Sequence, residues 1–122
     1  MELLIDLTKR FIRKFINAFS GLWAGIRYDN SILLQFVLAV ASIIVFAIIK
    51  ITFVEWMFVI NAIFIVIITE FLNSSVEDLC DLLVDKYDLH VKEIKDIAAA
   101  AVLLSAIYAV IVAVIIVGRH ML

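Results

Sequence analysis

The 122-residue chain contains no proline, three glycines and a single cysteine, and each scarcity removes a class of protein. With glycine only at Gly21, Gly25 and Gly118, there is no collagen-like repeat, no flexible glycine linker and little turn chemistry for an all-β fold. Neither G-x-x-x-x-G-K nor G-x-G-x-x-G occurs, so no glycine-rich loop cradles phosphates. Cys80 alone gives no internal disulfide and no C-x-x-C pair; it reads as a small packing residue. His90 and His120 have no partners at metal-ligand spacing. Charge is scarce too: 18% of the residues are charged and 66% hydrophobic, against about a quarter and a half in soluble domains. With mean hydropathy +1.20, the chain reads as one small integral membrane domain.

Three apolar segments carry that reading. Ser31–Ile49 and Ile97–Val117 are uncharged runs of 19 and 21 residues, enough to cross about 30 Å of hydrocarbon at ~1.5 Å per residue. Trp56–Thr69 is shorter, bounded by Glu55 and Glu70, and reaches spanning length only when extended through Leu72. The expected spans are therefore 31–49, 55–72 and 97–117, the first two joined by a tight turn near Lys50 to Val54. Lys9, Arg10, Arg13, Lys14 and Arg27 precede the first span, and Lys86, Lys92 and Lys95 lie between the second and third. Only Lys50 and Arg119 fall on the other side. This asymmetry places the N-terminus and the long loop in the cytoplasm and the C-terminus outside.

Two further segments read as surface helices. Across residues 3–26, Leu4, Leu7, Phe11, Phe15, Ala18, Phe19 and Leu22 recur at helical spacing, with the basic residues largely off that stripe. A basic amphipathic helix suits an anionic lipid interface. Residues 74–87 form the second, with Val76, Leu79, Cys80, Leu82 and Leu83 opposed to Glu77, Asp78, Asp81 and Asp85.

The chemistry concentrates in residues 70–81. With Glu70 as the zero of a helical wheel at about 100° per residue, Asn73 falls near −60°, Glu77 near −20° and Asp81 near +20°. Aligned like charges repel, so the stripe calls for a cation. Mg²⁺ takes one or two carboxylates together with phosphate oxygens and water, and Lys95, Arg10 and Lys86 are the basic candidates. Glu77 and Asp81 by themselves also fit the solvated face of an amphipathic helix. Glu70 is different. An acid at the end of an apolar run costs up to ~3 kcal/mol at mid-bilayer and less near the edge, so it tends to line a cavity or pair with a polar group. Partial desolvation makes it a better proton acceptor near neutral pH. Asp29, at the head of the first span, either joins a metal shell or serves as a helix N-terminal acid. A base at the lipid boundary with metal-type ligands on its watery side suits phosphoryl transfer from a soluble donor to a lipid hydroxyl. A proton-coupled transporter using Glu70, or a non-catalytic membrane scaffold, are the competing readings.

The motif Glu70-x-x-Asn73-Ser74-x-x-Glu77-x-x-x-Asp81, followed by Lys95-Asp96-x-Ala98-x-x-Ala101-Val102-Leu103, resembles that of the small bacterial membrane lipid kinases, the diacylglycerol and undecaprenol kinases. Arg10, Gly21 and the acid at Asp29 also fall at that family's spacing. The resemblance implies an all-α membrane protein assembled as a homotrimer, with active sites shared between subunits on the cytoplasmic side of the bacterial inner membrane. It implies Glu70 as the base, Asp29 and Glu77 as Mg²⁺ ligands, and ATP contacts from Arg10, Asn17, Asp29, Glu77, Lys86, Tyr87, Asp88, Lys95 and Asp96. Asn73 and Asp81 line the site, and Arg10, Glu70 and Ala99 meet the lipid. Asp29 stands where the family commonly has Glu, and Asn30, Ser31, Leu33 and Gln35 are uncharged where charges often follow. Glu55-Trp56-x-Phe58 and the Ala98-Ala99 pair lean toward undecaprenol kinases, with diacylglycerol close behind.

Overall fold

A computed structural model describes all residues, 1–122, and contains four helices and no strand: α1 (Glu2–Tyr28), α2 (Asn30–Ile49), α3 (Phe53–Leu83) and α4 (Leu89–Met121). α2, α3 and α4 are each long and apolar enough to cross a membrane. Only 13 of 122 residues are buried, so the apolar side chains mostly face outward, as they do where lipid or another copy is the solvent. α3 and α4 form the main antiparallel pair, α2 packs on α3, and α1 on α2.

Local chemistry fixes the helix ends. Asp29, in extended backbone, ends α1 and caps α2: its Oδ1 accepts from the amides of Ser31 (2.9 Å) and Ile32 (3.2 Å), satisfying two donors that a helix start leaves free. Lys50 takes a left-handed conformation (φ 64°) and its amide returns to the Phe46 carbonyl, so the chain reverses within Lys50–Thr52. Thr52 and Glu55 then form a reciprocal capping box, 2.9 and 3.2 Å.

The segment expected as a separate surface helix over 74–87 is instead the continuation of α3, which runs unbroken to Leu83. Asn73, Ser74 and Ser75 carry the composition of a helix start, but the Ser75 hydroxyl donates to the Phe71 carbonyl (2.9 Å), a bond made from within a helix. Residues 84–88 are a non-helical linker, and α4 begins at Leu89 under an Asp88 cap. At ~1.5 Å per residue α3 is about 46 Å long, and so extends about 16 Å beyond a ~30 Å hydrocarbon layer. The continuity holds the whole carboxylate stripe on one rigid rod.

Polar pairs set the α3–α4 register. Moving along α3, His120 Nε2 meets Glu55 Oε1 (2.8 Å), Tyr108 donates to Asn61 (2.9 Å), Thr69 and Ser105 share a hydrogen bond (2.9 Å) and Lys95 donates to Asp81 (2.5 Å). Glu55 is buried, with Arg119 3.8 Å from its other carboxylate oxygen. Phe46, Ile51, Val59, Val112 and Ile116 form the apolar core around this end.

At the opposite end Gly25 lets α1 reach the bundle. A Cβ there would fall against the Phe71 ring, with Phe71 Cζ at 2.9 Å and Ile32 Cδ1 at 3.2 Å. That ring stacks edge-on against Phe36, centroids 6.4 Å apart, and a methyl at Gly25 must push it off that partner. Gly25→Ala is expected to destabilise the docked α1 by about 1–3 kcal/mol, read as a lower Tm in detergent, whereas Gly21→Ala, inside the same helix with nothing within 4 Å, gains helix propensity and leaves Tm level or slightly raised.

Candidate active site

The stripe on α3 is graded. Glu70, Asn73 and Ser74 are buried, 6%, 9% and 7% exposed, while Glu77 and Asp81 are more open to solvent. The buried end abuts the apolar segment that precedes it, and the open end lies toward the C-terminus of α3. Glu70 accepts no hydrogen bond from the protein. The negative charges of Asp29, at the α1–α2 junction, and of Glu77, further along α3, both act on Glu70.

Around Glu70 the other groups are partly committed and partly free. Asn73 Nδ2 donates to Glu77 Oε1 at 3.3 Å, and Asn73 Oδ1 is buried without a partner. The cap bonds of Asp29 use Oδ1 alone, leaving Oδ2 available; the helix-cap and site readings of Asp29 are therefore compatible. Lys95, from the first turns of α4, bonds Asp81 across the helix pair, and that bond holds its ammonium above the ordinary lysine range. Lys95 is therefore a fixed positive charge beside the exposed carboxylates of the stripe.

The chain thus brings Asp29, Glu70, Asn73, Glu77, Asp81 and Lys95 together. Asp96, expected alongside Lys95, is tied to Lys92 at 2.6 Å, which holds the Lys92 ammonium above its usual range. Lys92 did not stand out in the sequence, though its i,i+4 spacing to Asp96 was the available signal. Arg10 and Asn17 lie on the exposed α1 and make no ion pair or side-chain hydrogen bond within the chain. Lys86 and Tyr87 are exposed in the linker, and Asp88 is engaged as the α4 cap, accepting from Val91 (3.1 Å). Ala99 is exposed on α4.

No group of three His, Cys, Asp or Glu side chains converges as a metal cage. The donors that these elements offer, the oxygen of Asp29 outside its cap bonds, the Glu77 carboxylate and the unpartnered Asn73 carbonyl, are all oxygen. Such a set fits a hard cation that completes its shell with phosphate and water.

Comparison with known proteins gives a consistent picture. The sequence pattern of the prokaryotic diacylglycerol kinase family matches residues 16–117, a range that holds every site residue named above except Arg10. The undecaprenol kinase of Bacillus subtilis (strain 168) is 30% identical over 107 residues, covering 88% of this chain and 87% of that protein.

Proposed function

Because the chain belongs to the prokaryotic diacylglycerol kinase family, and is thus a bacterial membrane lipid kinase, we propose that it uses ATP and Mg²⁺ to phosphorylate a lipid alcohol, undecaprenol in preference to diacylglycerol. The observation that carries this reading is the graded stripe: a buried, unpaired Glu70 against the apolar segment, with Glu77, Asp81 and Lys95 on its watery side. The name of the B. subtilis relative supports the choice of lipid.

In this reading Glu70 takes the proton of the lipid hydroxyl as its oxygen attacks the γ-phosphorus, ADP leaves, and the proton passes from Glu70 to water. Phosphoryl transfer asks mainly for positioning and charge neutralisation. Asp29 and Glu77 would hold Mg²⁺, which supplies neutralisation of phosphate charge when bound. Lys95 sets a positive charge at the same level, with Asp81 and Asp96 orienting it and its neighbour Lys92. Asn73 offers donor and acceptor between Glu70 and Glu77. Arg10, Asn17 and the Lys86–Asp88 linker approach the nucleotide, and Ala99 the lipid. The N-terminus and the 84–88 linker face the cytoplasm, where ATP is, and the C-terminus lies outside. Three copies sharing sites at their contacts would cover the Glu77 and Asp81 end of the stripe, which one protomer leaves open. The deciding experiment presents undecaprenol and diacylglycerol together in mixed micelles with ATP and Mg²⁺. Undecaprenyl phosphate is the expected main product; phosphatidic acid as the main product reverses the lipid choice, and no lipid phosphate rejects the reading.

A further inference from the structure

A cavity of about 370 Å³ lies between α2 and α4, floored by α3. Its position relative to the stripe is informative. On a wheel with Glu70 at zero, the floor residues Ala62, Ile63, Val66 and Ile67 centre within about 10° of Glu70. On α4, Ala106, Ala109 and Ala113 centre within about 10° of Lys95 on that helix's own wheel, with Ala99 on the same face between them. The cavity is thus the membrane-side continuation of the line that carries Glu70 on one helix and Lys95 on the other. Its α2 wall adds Gln35 and Ser42, and the span from Glu70 down to Ala62 covers about 12 Å of membrane depth. A wider groove of about 840 Å³ runs between α1, α2 and α3, but its α3 residues, Phe64, Ile68, Phe71 and Leu72 among them, centre roughly 110° around the helix from Glu70.

We propose that the α2–α4 cavity holds the hydrocarbon chain of the acceptor lipid and selects a single-chain polyisoprenoid alcohol over a two-chain glyceride, with Ser42 and Ala109 setting its bore. The inference rests on Glu70 being the base. A hydroxyl at Glu70 that belongs to a membrane lipid has its chain running inward along the same face, and that face is this cavity. Alanine at three α4 positions, one turn apart, makes a smooth, narrow wall that admits one chain in file.

The test uses the full chain in mixed micelles with two acceptors, undecaprenol and a short prenol that does not reach below Glu70. Ala109→Leu and Ser42→Leu each narrow the cavity, and the ratio of kcat/KM for undecaprenol over the short prenol is expected to fall about 10-fold or more, mainly through KM. Val114→Leu, which places the same side chain at an exposed position of α4 outside the cavity, keeps the wild-type ratio. An unchanged ratio in the leucine variants overturns the proposal, as does a shift of their assembly to a smaller oligomer, which would make this face a contact between copies. Independently of variant folding, an undecaprenol analogue with a photoreactive chain should label α4 around Ala106–Ala113 in the wild-type protein; labelling confined to the Phe64–Leu72 groove overturns it. Failure of the base assignment itself is read separately, as retained turnover of the short prenol by Glu70→Gln.

Discussion

Glu70→Gln is expected to lower kcat by about 10²- to 10⁴-fold, the range over which a positioned general base contributes, while Mg-ATP binding is kept. The substitution is close to isosteric, and Glu70 accepts no hydrogen bond from the protein, so no partner is orphaned by it. Removing its charge also relieves the repulsion from Asp29 and Glu77 that converges on this carboxylate. Tm should therefore stay level or rise, which separates loss of the base from loss of the fold. Full turnover in Glu70→Gln would remove the base assignment. A parallel fall in Tm and in nucleotide binding would make Glu70 a structural residue.

Glu77→Gln is expected to weaken the apparent affinity for Mg²⁺ at least 10-fold, with much of kcat recovered at high Mg²⁺. Substituting residues that merely orient a metal's ligands typically costs about 10–100-fold, and a ligand itself should cost no less. The amide oxygen of the substituted side chain can still accept from Asn73 Nδ2, which approaches Glu77 at 3.3 Å in the native protein. The local helix geometry is therefore preserved and the change isolates the charge. A Mg²⁺ titration of lipid phosphate formation checks it. An unchanged Mg²⁺ dependence would return Glu77 to the ordinary solvated face of a helix.

Much of the architecture was legible because lipid imposes a simple rule: a run of uncharged residues about 20 long is a span. Ser31–Ile49 and Ile97–Val117 fall within α2 and α4. The α3 segment was harder. Glu70 and the Asn73-Ser74-Ser75 triplet interrupt hydropathy without interrupting the helix, because Ser75 bonds back into it, and composition does not distinguish that bond from a cap. The wheel placed Glu70, Asn73, Glu77 and Asp81 on one face correctly, since that follows from helical pitch alone and only required the helix to continue.

Contacts between helices were mostly out of reach. Lys95 was named as a compensating base, but nothing local says that it meets Asp81, fourteen residues away. Glu55 and His120 are separated by 65 residues, and Glu55 looked like a span boundary, not the buried acceptor of a capping box and an imidazole. The transporter reading accounted for Glu70 alone. The water-side charges gathered around Lys95, together with family membership, decide for a kinase.

Transfer to a lipid hydroxyl at Glu70 requires the nucleotide's metal to sit beside that residue. A structure of the protein with Mn²⁺ in place of Mg²⁺ and a non-hydrolysable ATP analogue would locate that metal by its anomalous scattering. The expected peak lies at the Glu77 carboxylate and the free oxygen of Asp29, with the terminal phosphate between it and Glu70. A peak elsewhere on the chain, with the nucleotide out of reach of Glu70, would contradict the account.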